Sequence, residues 1–281
     1  MTDPFAGCHR GDMDIRQVNV FDDSEIERFH EVTERAEAFE RPHHSGWSLD
    51  EAKIELRRQV PTERSEVWAA YDEGTMVGAM SLWFPLLDNL TKCWGAVGVD
   101  PDHRCRGVGS ALVAQIVIRM AQEGRTTMVT ETAYPFDRRE DHPYRRFAEA
   151  NGFRVASFVD SLPDELIASY CALSNQLGVD APTSPEPSPD VWQWGPLVHR
   201  DHRGHRLGTA VKVRNLQQLA AAGSGRVRVL TCNAETNHHM VDINVRLGFE
   251  PVEVAPMFEL RIDSSVGPRT EQRAQVSAST T

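Results

Sequence analysis

A turn rich in arginine and glycine occurs twice in this 281-residue chain, as Asp102-His103-Arg104-Cys105-Arg106-Gly107-Val108-Gly109 and as Asp201-His202-Arg203-Gly204-His205-Arg206-Leu207-Gly208. Each copy follows a short strand-like run and opens a long apolar stretch with helical spacing. A strand that ends in such a turn and then starts a helix aims several unpaired backbone N–H groups, and the positive end of the helix dipole, at one point. That point attracts an anion, and a pyrophosphate suits it. The chain must therefore contain strand–turn–helix units, which places it in the α/β class.

Composition narrows the partners. The net charge of −11 disfavours a general nucleic-acid binder, whose affinity would come from positive surface. Against that acidic background the cations gather at the turns: three Arg and three His fall between His199 and Arg206. A site for a small polyanion accounts for both facts, and a solvated loop is the plainer alternative. No apolar run is long enough to cross a membrane, and the first twenty residues lack the pattern of a signal peptide. The five cysteines, Cys8, Cys93, Cys105, Cys171 and Cys232, are odd in number and scattered, which argues against a disulfide framework and for a reducing, cytoplasmic setting.

Hydrophobic spacing predicts a weak strand over 15–20, then a helix capped by Asp23 or Ser24 and running to about Glu40 with Ile26, Phe29, Val32 and Ala36 inward. Ser48 and Glu51 form a capping-box pair ahead of a helix to about Gln59. Strands over 65–71 and 76–84 flank the hairpin signal Asp72-Glu73-Gly74, and a third, 94–99, stops at Asp100-Pro101. The helix from Val108 to Glu123 shows only Gln115, Arg119 and Gln122 as a polar stripe. A strand over 127–132, a helix over 142–150, the turn Asn151-Gly152 and a strand over 153–159 complete the series. A short helix over 164–173, a proline-rich linker over 178–190 and a disordered tail over 264–281 are expected to follow.

The first turn reads Arg-x-x-Gly-x-Gly between strand and helix, and in this it resembles the acyl-CoA turn of the GNAT (general N-acetyltransferase) superfamily. The resemblance implies a mixed, mostly antiparallel twisted sheet with a central parallel, splayed strand pair flanked by helices. It covers residues 14–162 as one complete module. His103 and His202 stand 99 positions apart, and after the second turn come a helix (207–222), a strand (227–232), a helix (238–247) and Leu247-Gly248-Phe249, echoing Asn151-Gly152-Phe153. The segment from Asn237 to Phe249 is similar to the C-terminal modules of tandem acetyltransferases. Residues 191–263 thus read as a second half-module, joined through 163–190. Its first strand, 192–198, lacks neighbours and would expose an edge unless the first domain or a homodimer partner covered it.

The resemblance implies acetyl-CoA as cosubstrate, a primary amine on a small molecule or peptide as acceptor, and direct attack of that amine on the thioester. The pantetheine arm is expected along the strand from Ala96 to Val99 with the thioester near Val97–Val99, and the pyrophosphate on Arg104, Arg106, Gly107, Val108, Gly109 and Ser110. A second cofactor site, on Val198, Arg203, His205, Leu207, Gly208 and Asn237, is less well formed, because Arg206 replaces the first motif glycine. The usual tyrosine acid of the family is replaced by Ala148 and Asn244, leaving Tyr144, one helical turn earlier, as the candidate acid or else a packing residue. Glu131, in an otherwise uncharged strand, is the candidate base, acting through water. Glu37, Glu40, Asp50 and Asp88 would line an acceptor wall suited to a cationic amine.

Two other constellations give less. His199, His202 and His205, with His238-His239, invite a metal, but the turn already accounts for the first three, so no metal is expected. Cys105 beside Arg104 and Arg106 invites a nucleophile that direct transfer does not need. The competing function is an acyl-CoA-binding regulatory or degenerate protein without turnover. A nucleic-acid binder using the stretch from His199 to Arg206 is the third reading, opposed by the acidic total and the lack of interleaved aromatics, so neither nucleic acid nor membrane is expected as a partner.

Overall fold

A computed structural model describes residues 13–155, 190–193, 198, 200–223, 228–234 and 236–263. The described residues of 13–155 and 253–263 fall in one compact unit and those of 190–252 in another.

The first unit begins with β1 (Asp14–Gln17), shorter and earlier than its apolar spacing suggested. Helix α1 (Asp23–Ala38) is capped by Asp22 rather than Asp23 or Ser24: its carboxylate accepts from the Ser24 hydroxyl at 2.7 Å, the N–H of Glu25 at 3.3 Å and the N–H of Ser24 at 2.9 Å, bonds that hold its pKa down. The capping box of Ser48 and Glu51 starts α2 (Leu49–Arg57). Strands β2 (Glu63–Asp72) and β3 (Thr75–Pro85) meet at Glu73 and Gly74, both with positive φ, the hairpin turn whose twist matches that of the strands. Next come β4 (Lys92–Val99), α3 (Val108–Gln122), β5 (Thr127–Glu131), β6 (Tyr134–Pro135), α4 (Pro143–Ala150) and β7 (Arg154–Val155).

Seven strands form one sheet in the order β1-β2-β3-β4-β5-β11-β7, with only β4 and β5 parallel. The sheet is mixed, mostly antiparallel and flanked by helices. Period-two alternation assigns its faces. Val67, Ala69 and Tyr71 pack with Phe29 and Val32 of α1, while Ala70, Met80 and Leu82 pack with Leu112, Ile116 and Met120 of α3. Arg119 of the polar stripe is not solvated: its guanidinium grips the buried Glu66 of β2 through two bonds, 2.7 and 2.8 Å.

The sixth position in that sheet is filled by β11 (Met257–Arg261), which pairs antiparallel with β5 and with β7. The repeat had grouped these residues with the second module and taken 14–162 as complete. The core of the first unit uses Phe258 and Leu260. The short β10 (Glu253–Val254) pairs with β6. Beyond Val155 the rest of the expected strand over 153–159, the helix, the linker up to 189 and the tail lie outside the described residues, while Asp190, the expected end of the linker, is in a strand.

The second unit repeats the strand–turn–helix theme. Strand β8 (Asp190–Trp192) runs parallel to β9 (Arg228–Leu230), as β4 does to β5, and α5 (Leu207–Ala221) and α6 (His238–Arg246) follow the duplicated turn and Asn237. The strand expected over 192–198 is seen as Asp190–Trp192, and 194–197 lie outside the described residues. Arg228 holds the buried Asp190 through two bonds, 2.6 and 2.7 Å. Among the described residues no helix is long and apolar enough to cross a membrane.

Candidate active site

Parallel pairing of β4 and β5 runs from Lys92–Thr127 to Trp94–Val129 and stops there. β4 continues to Val99, held on its other edge by β3, while the end of β5 turns to β11, with Glu131 opposite Met257. The two central strands therefore splay. Among the described residues no strand pairs with the backbone of β4 from Gly95 onward on its β5 side, and such an edge can accept an extended ligand as an added strand.

At the end of β4 the chain is fastened. The buried Asp100 accepts from Arg35 of α1 at 2.8 Å and from the N–H of Asp102 at 3.0 Å, so that α1, strand and turn share one carboxylate. Cys105 and Gly107 both have positive φ, and Gly107 caps α3 with no side-chain bond to the helix. The first N–H groups of α3 have no intrahelical acceptor, and together with the helix dipole they make an anion site open to one side. A Cβ at Gly109 would stand 2.8 Å from the ring of Phe147, so α4 closes tightly over the first turn of α3.

A cavity of about 560 Å³ runs from this turn along the splayed edge. Val97, Val99, Arg104, Gly107, Val108, Gly109, Ser110, Glu131 and Tyr144 all line it, which brings together nearly all the residues singled out for the first module. Arg106 is exposed beside the turn and is not part of the lining.

Arg104 does something the sequence did not suggest. Its guanidinium donates to the Val99 carbonyl at 3.3 Å, to the Ala36 carbonyl at the end of α1 at 3.3 Å, and to the Tyr144 hydroxyl at 3.0 Å, and it lies 4.1 Å over the ring of Phe39. It clips the turn to α1 and α4. Arg203, its counterpart, donates to the Val198 carbonyl at 3.2 Å with the same separation in sequence. Tyr144 donates its phenolic proton to the Ala36 carbonyl, and burial raises its pKa, partly opposed by Arg104. The phenol is thus protonated and engaged in packing α4 on α1.

Of the four acids expected on the acceptor wall, only Glu37 lines the cavity. Glu40 sits 3.5 Å from Arg138 and 3.4 Å from the ring of His142, and Asp50 and Asp88 are elsewhere. The sequence reading missed His142, fully buried at the cap of α4 and stacked on Tyr134 at 4.8 Å. It also missed Arg41, whose guanidinium is held by Glu253 of β10 at 2.9 and 3.0 Å and reaches Nδ1 of His44 at 3.3 Å. Neither lies in a recognisable motif. Arg41 gains its meaning from a strand more than two hundred positions away.

In the second unit, Val198, Arg203 and Gly208 come together at the start of α5, and a Cβ at Gly208 would lie 3.9 Å from Val198 and 3.7 Å from Ile243. His205 and Leu207 are exposed, and Asn237 caps α6 by accepting from the N–H of Met240 at 3.3 Å. Among the described residues one group of potential metal ligands lies close together, Glu34, Glu37 and His44, and it includes none of the histidines of the second turn.

The span from β2 to β7 matches the family model described as an acetyltransferase (GNAT) domain, over residues 63–155. Residues 63–155 are a GNAT domain. The match leaves out α1 and β11, both of which the structure shows packed into the same unit. A tandem GNAT protein from the clavulanic acid biosynthesis pathway, solved without acetyl-CoA, is 22% identical, superimposes with a TM-score of 0.69 and aligns over 92% of this chain and 100% of its own. That likeness concerns the fold. Looser matches are an N-acetyltransferase from Staphylococcus aureus (12% identity, TM-score 0.40, 52% of this chain and 86% of that one) and an aminoglycoside 6'-N-acetyltransferase complexed with coenzyme A (18%, 0.40, 54% and 89%). Comparison with curated proteins finds no match.

Proposed function

We propose that the first unit transfers an acetyl group from acetyl-CoA to a primary amine. The observation that carries this reading is the continuity of one cavity from the capless start of α3 to the unpaired edge of β4. The N–H groups of Val108, Gly109 and Ser110 hold the pyrophosphate, with Arg106 adding charge from outside, and Val97 and Val99 take the pantetheine arm as an added strand. Acetyl-CoA supplies an activated acyl thioester. The chain's part is to fix that thioester at the splay, present the amine and move protons. Glu131, exposed where β5 ends on the cavity wall, passes protons to water, and Tyr144 is the candidate proton donor once its hydroxyl leaves the Ala36 carbonyl.

Cys105 gives a direct test, because its exposed thiol lies in the turn and lines the cavity. Acetyl-CoA is expected to slow its alkylation by iodoacetamide about tenfold or more, with the Cys232 thiol of the second unit as the internal reference. Unchanged labelling of Cys105 at saturating acetyl-CoA refutes the placement. Thiol release with a panel of amines then separates turnover from binding alone.

A further inference from the structure

Of the two charged side chains that line the cavity at the end of α1, Arg41 is already satisfied and Glu37 is not. Oε2 of Glu34 lies 3.0 Å from Nε2 of His44, whose Nδ1 faces Arg41 at 3.3 Å, so the imidazole bridges the two. Arg41 is in turn neutralised by Glu253. Glu37 has no hydrogen bond or ion pair to its carboxylate among the described residues, yet it lines the cavity.

Its position is informative. A Cβ at Gly98 would lie 3.1 Å from Ala36, so α1 rests on β4 within the segment assigned to the pantetheine arm, and Glu37 is the next residue along the helix. A carboxylate there stands beside the splay, where the acyl group must lie. We propose that Glu37 binds the ammonium of the acceptor and takes its proton, which makes cationic aliphatic amines the substrate class. This assignment rests on the acetyl-transfer reading above.

The step balances simply. The ammonium N–H bond breaks, its electron pair stays on nitrogen, and the proton forms an O–H bond on Glu37. That pair then forms the C–N bond to the acyl carbon, the C–S bond breaks with its electrons on sulfur, and the second amine proton ends on the thiol. Glu37 returns its proton to water.

The surroundings suit the task. Glu37 lines the cavity and keeps part of its surface exposed, and the partial loss of hydration around its carboxylate raises its pKa, with Glu34 adding to the rise and His44 and Arg41 opposing it. The Tyr144 hydroxyl faces it from α4 and Glu131 lines the same cavity from β5. A raised pKa brings a carboxylate closer to the value that serves a general base near neutral pH. The sign follows: the ionised, active form is lost as pH falls, and the acid limb of kcat/KM lies above the ordinary glutamate value of about 4.3.

The test compares wild type, Glu37→Gln and Glu37→Asp with two acceptors, an aliphatic diamine that is cationic at pH 7 and an aromatic amine that is already neutral. With the diamine, Glu37→Gln is expected to lower kcat/KM about 100-fold and to abolish the acid limb, with partial rescue by Glu37→Asp. With the aromatic amine, which brings no ammonium proton, the loss in Glu37→Gln should be at least about tenfold smaller than with the diamine, and direct titration should give the same acetyl-CoA affinity for both. An unchanged pH profile in Glu37→Gln, or an equal loss with both amines, overturns the assignment and leaves acetyl transfer standing. A wild-type protein that releases no thiol with any amine overturns both.

Discussion

Replacing Arg104 by Met separates two roles that the turn's sequence cannot distinguish, a ligand for phosphate and a clip for the turn. The structure shows the guanidinium spent on the Val99 and Ala36 carbonyls, the Tyr144 hydroxyl and the face of Phe39. Bonds from a charged donor contribute about 1.5–3 kcal/mol at good geometry, so the two at 3.3 Å merit about 0.5–1 kcal/mol each and the one at 3.0 Å about 1. The contact with Phe39 adds about 0.5 kcal/mol. These share one side chain and do not sum independently, and Met keeps the packing of the stem, so the expected loss is about 2 kcal/mol.

For a unit of this size that loss lowers Tm by about 4–8 °C. The assay is thermal unfolding together with titration of acetyl-CoA at two salt concentrations. Arg104→Met should lower Tm and weaken binding by loosening the turn, while the salt dependence of binding stays that of wild type. Arg106→Ala should do the reverse: Tm unchanged and a shallower salt dependence, because an exposed charge near the phosphates is what salt screens. If Arg104→Met leaves Tm untouched and flattens the salt dependence, the clip reading is refuted.

Three other perturbations test the frame. Arg119→Met strips the buried Glu66 of its main partner and should cost about 2–4 kcal/mol in chemical denaturation, with Glu66→Gln in the same chain recovering part of it. Burial holds the pKa of His142 below 6.5, so the unfolded chain takes up a proton first as pH falls; stability should drop below about pH 6.5, and His142→Gln should flatten that limb in melts between pH 7 and 5. Ending the chain after Val252 removes β11 and should abolish cooperative unfolding of the first unit, whereas the same truncated chain melting like the full one would show the sheet complete without it.

Local chemistry was legible and distant pairing was not. The capping box at Ser48, the Glu73-Gly74 hairpin, the helix after Gly107 and the stop at Asp100 each depend on residues within a few positions of one another, so spacing alone identifies them. The same reading placed Val97, Val99 and the turn on one cavity because a strand and the helix it feeds are neighbours by construction. It could not see that Arg119 faces Glu66 across two layers, or that Arg104 folds back on α1, since either arginine fits a solvated stripe or an anion site equally well. The fate of 257–261 was also hidden. Similarity to the segment after Asn151-Gly152-Phe153 identifies a strand, but hydrogen bonds to β5 and β7 decide which sheet it joins.

The repeat itself shows how a motif can change while its geometry persists. In the first turn the positive φ values fall on Cys105 at 59° and Gly107 at 85°; in the second they fall on Gly204 at 84° and Arg206 at 58°. These are the same two places, with glycine and non-glycine exchanged. A left-handed non-glycine residue costs about 1–2 kcal/mol, so each copy relieves one of its two demanding positions and bears the other. Loss of the glycine at 206 therefore does not mean loss of the turn: Arg206 still precedes α5 in the conformation that Gly107 adopts before α3. What the second copy gives up is the bare backbone at that point, since a side chain now stands where an approaching phosphate would meet only hydrogen. The first copy keeps its glycine there and places its strained residue, Cys105, two positions earlier. On the acetyl-CoA reading proposed above, that difference, rather than the fold of the turn, favours the first unit for the pyrophosphate.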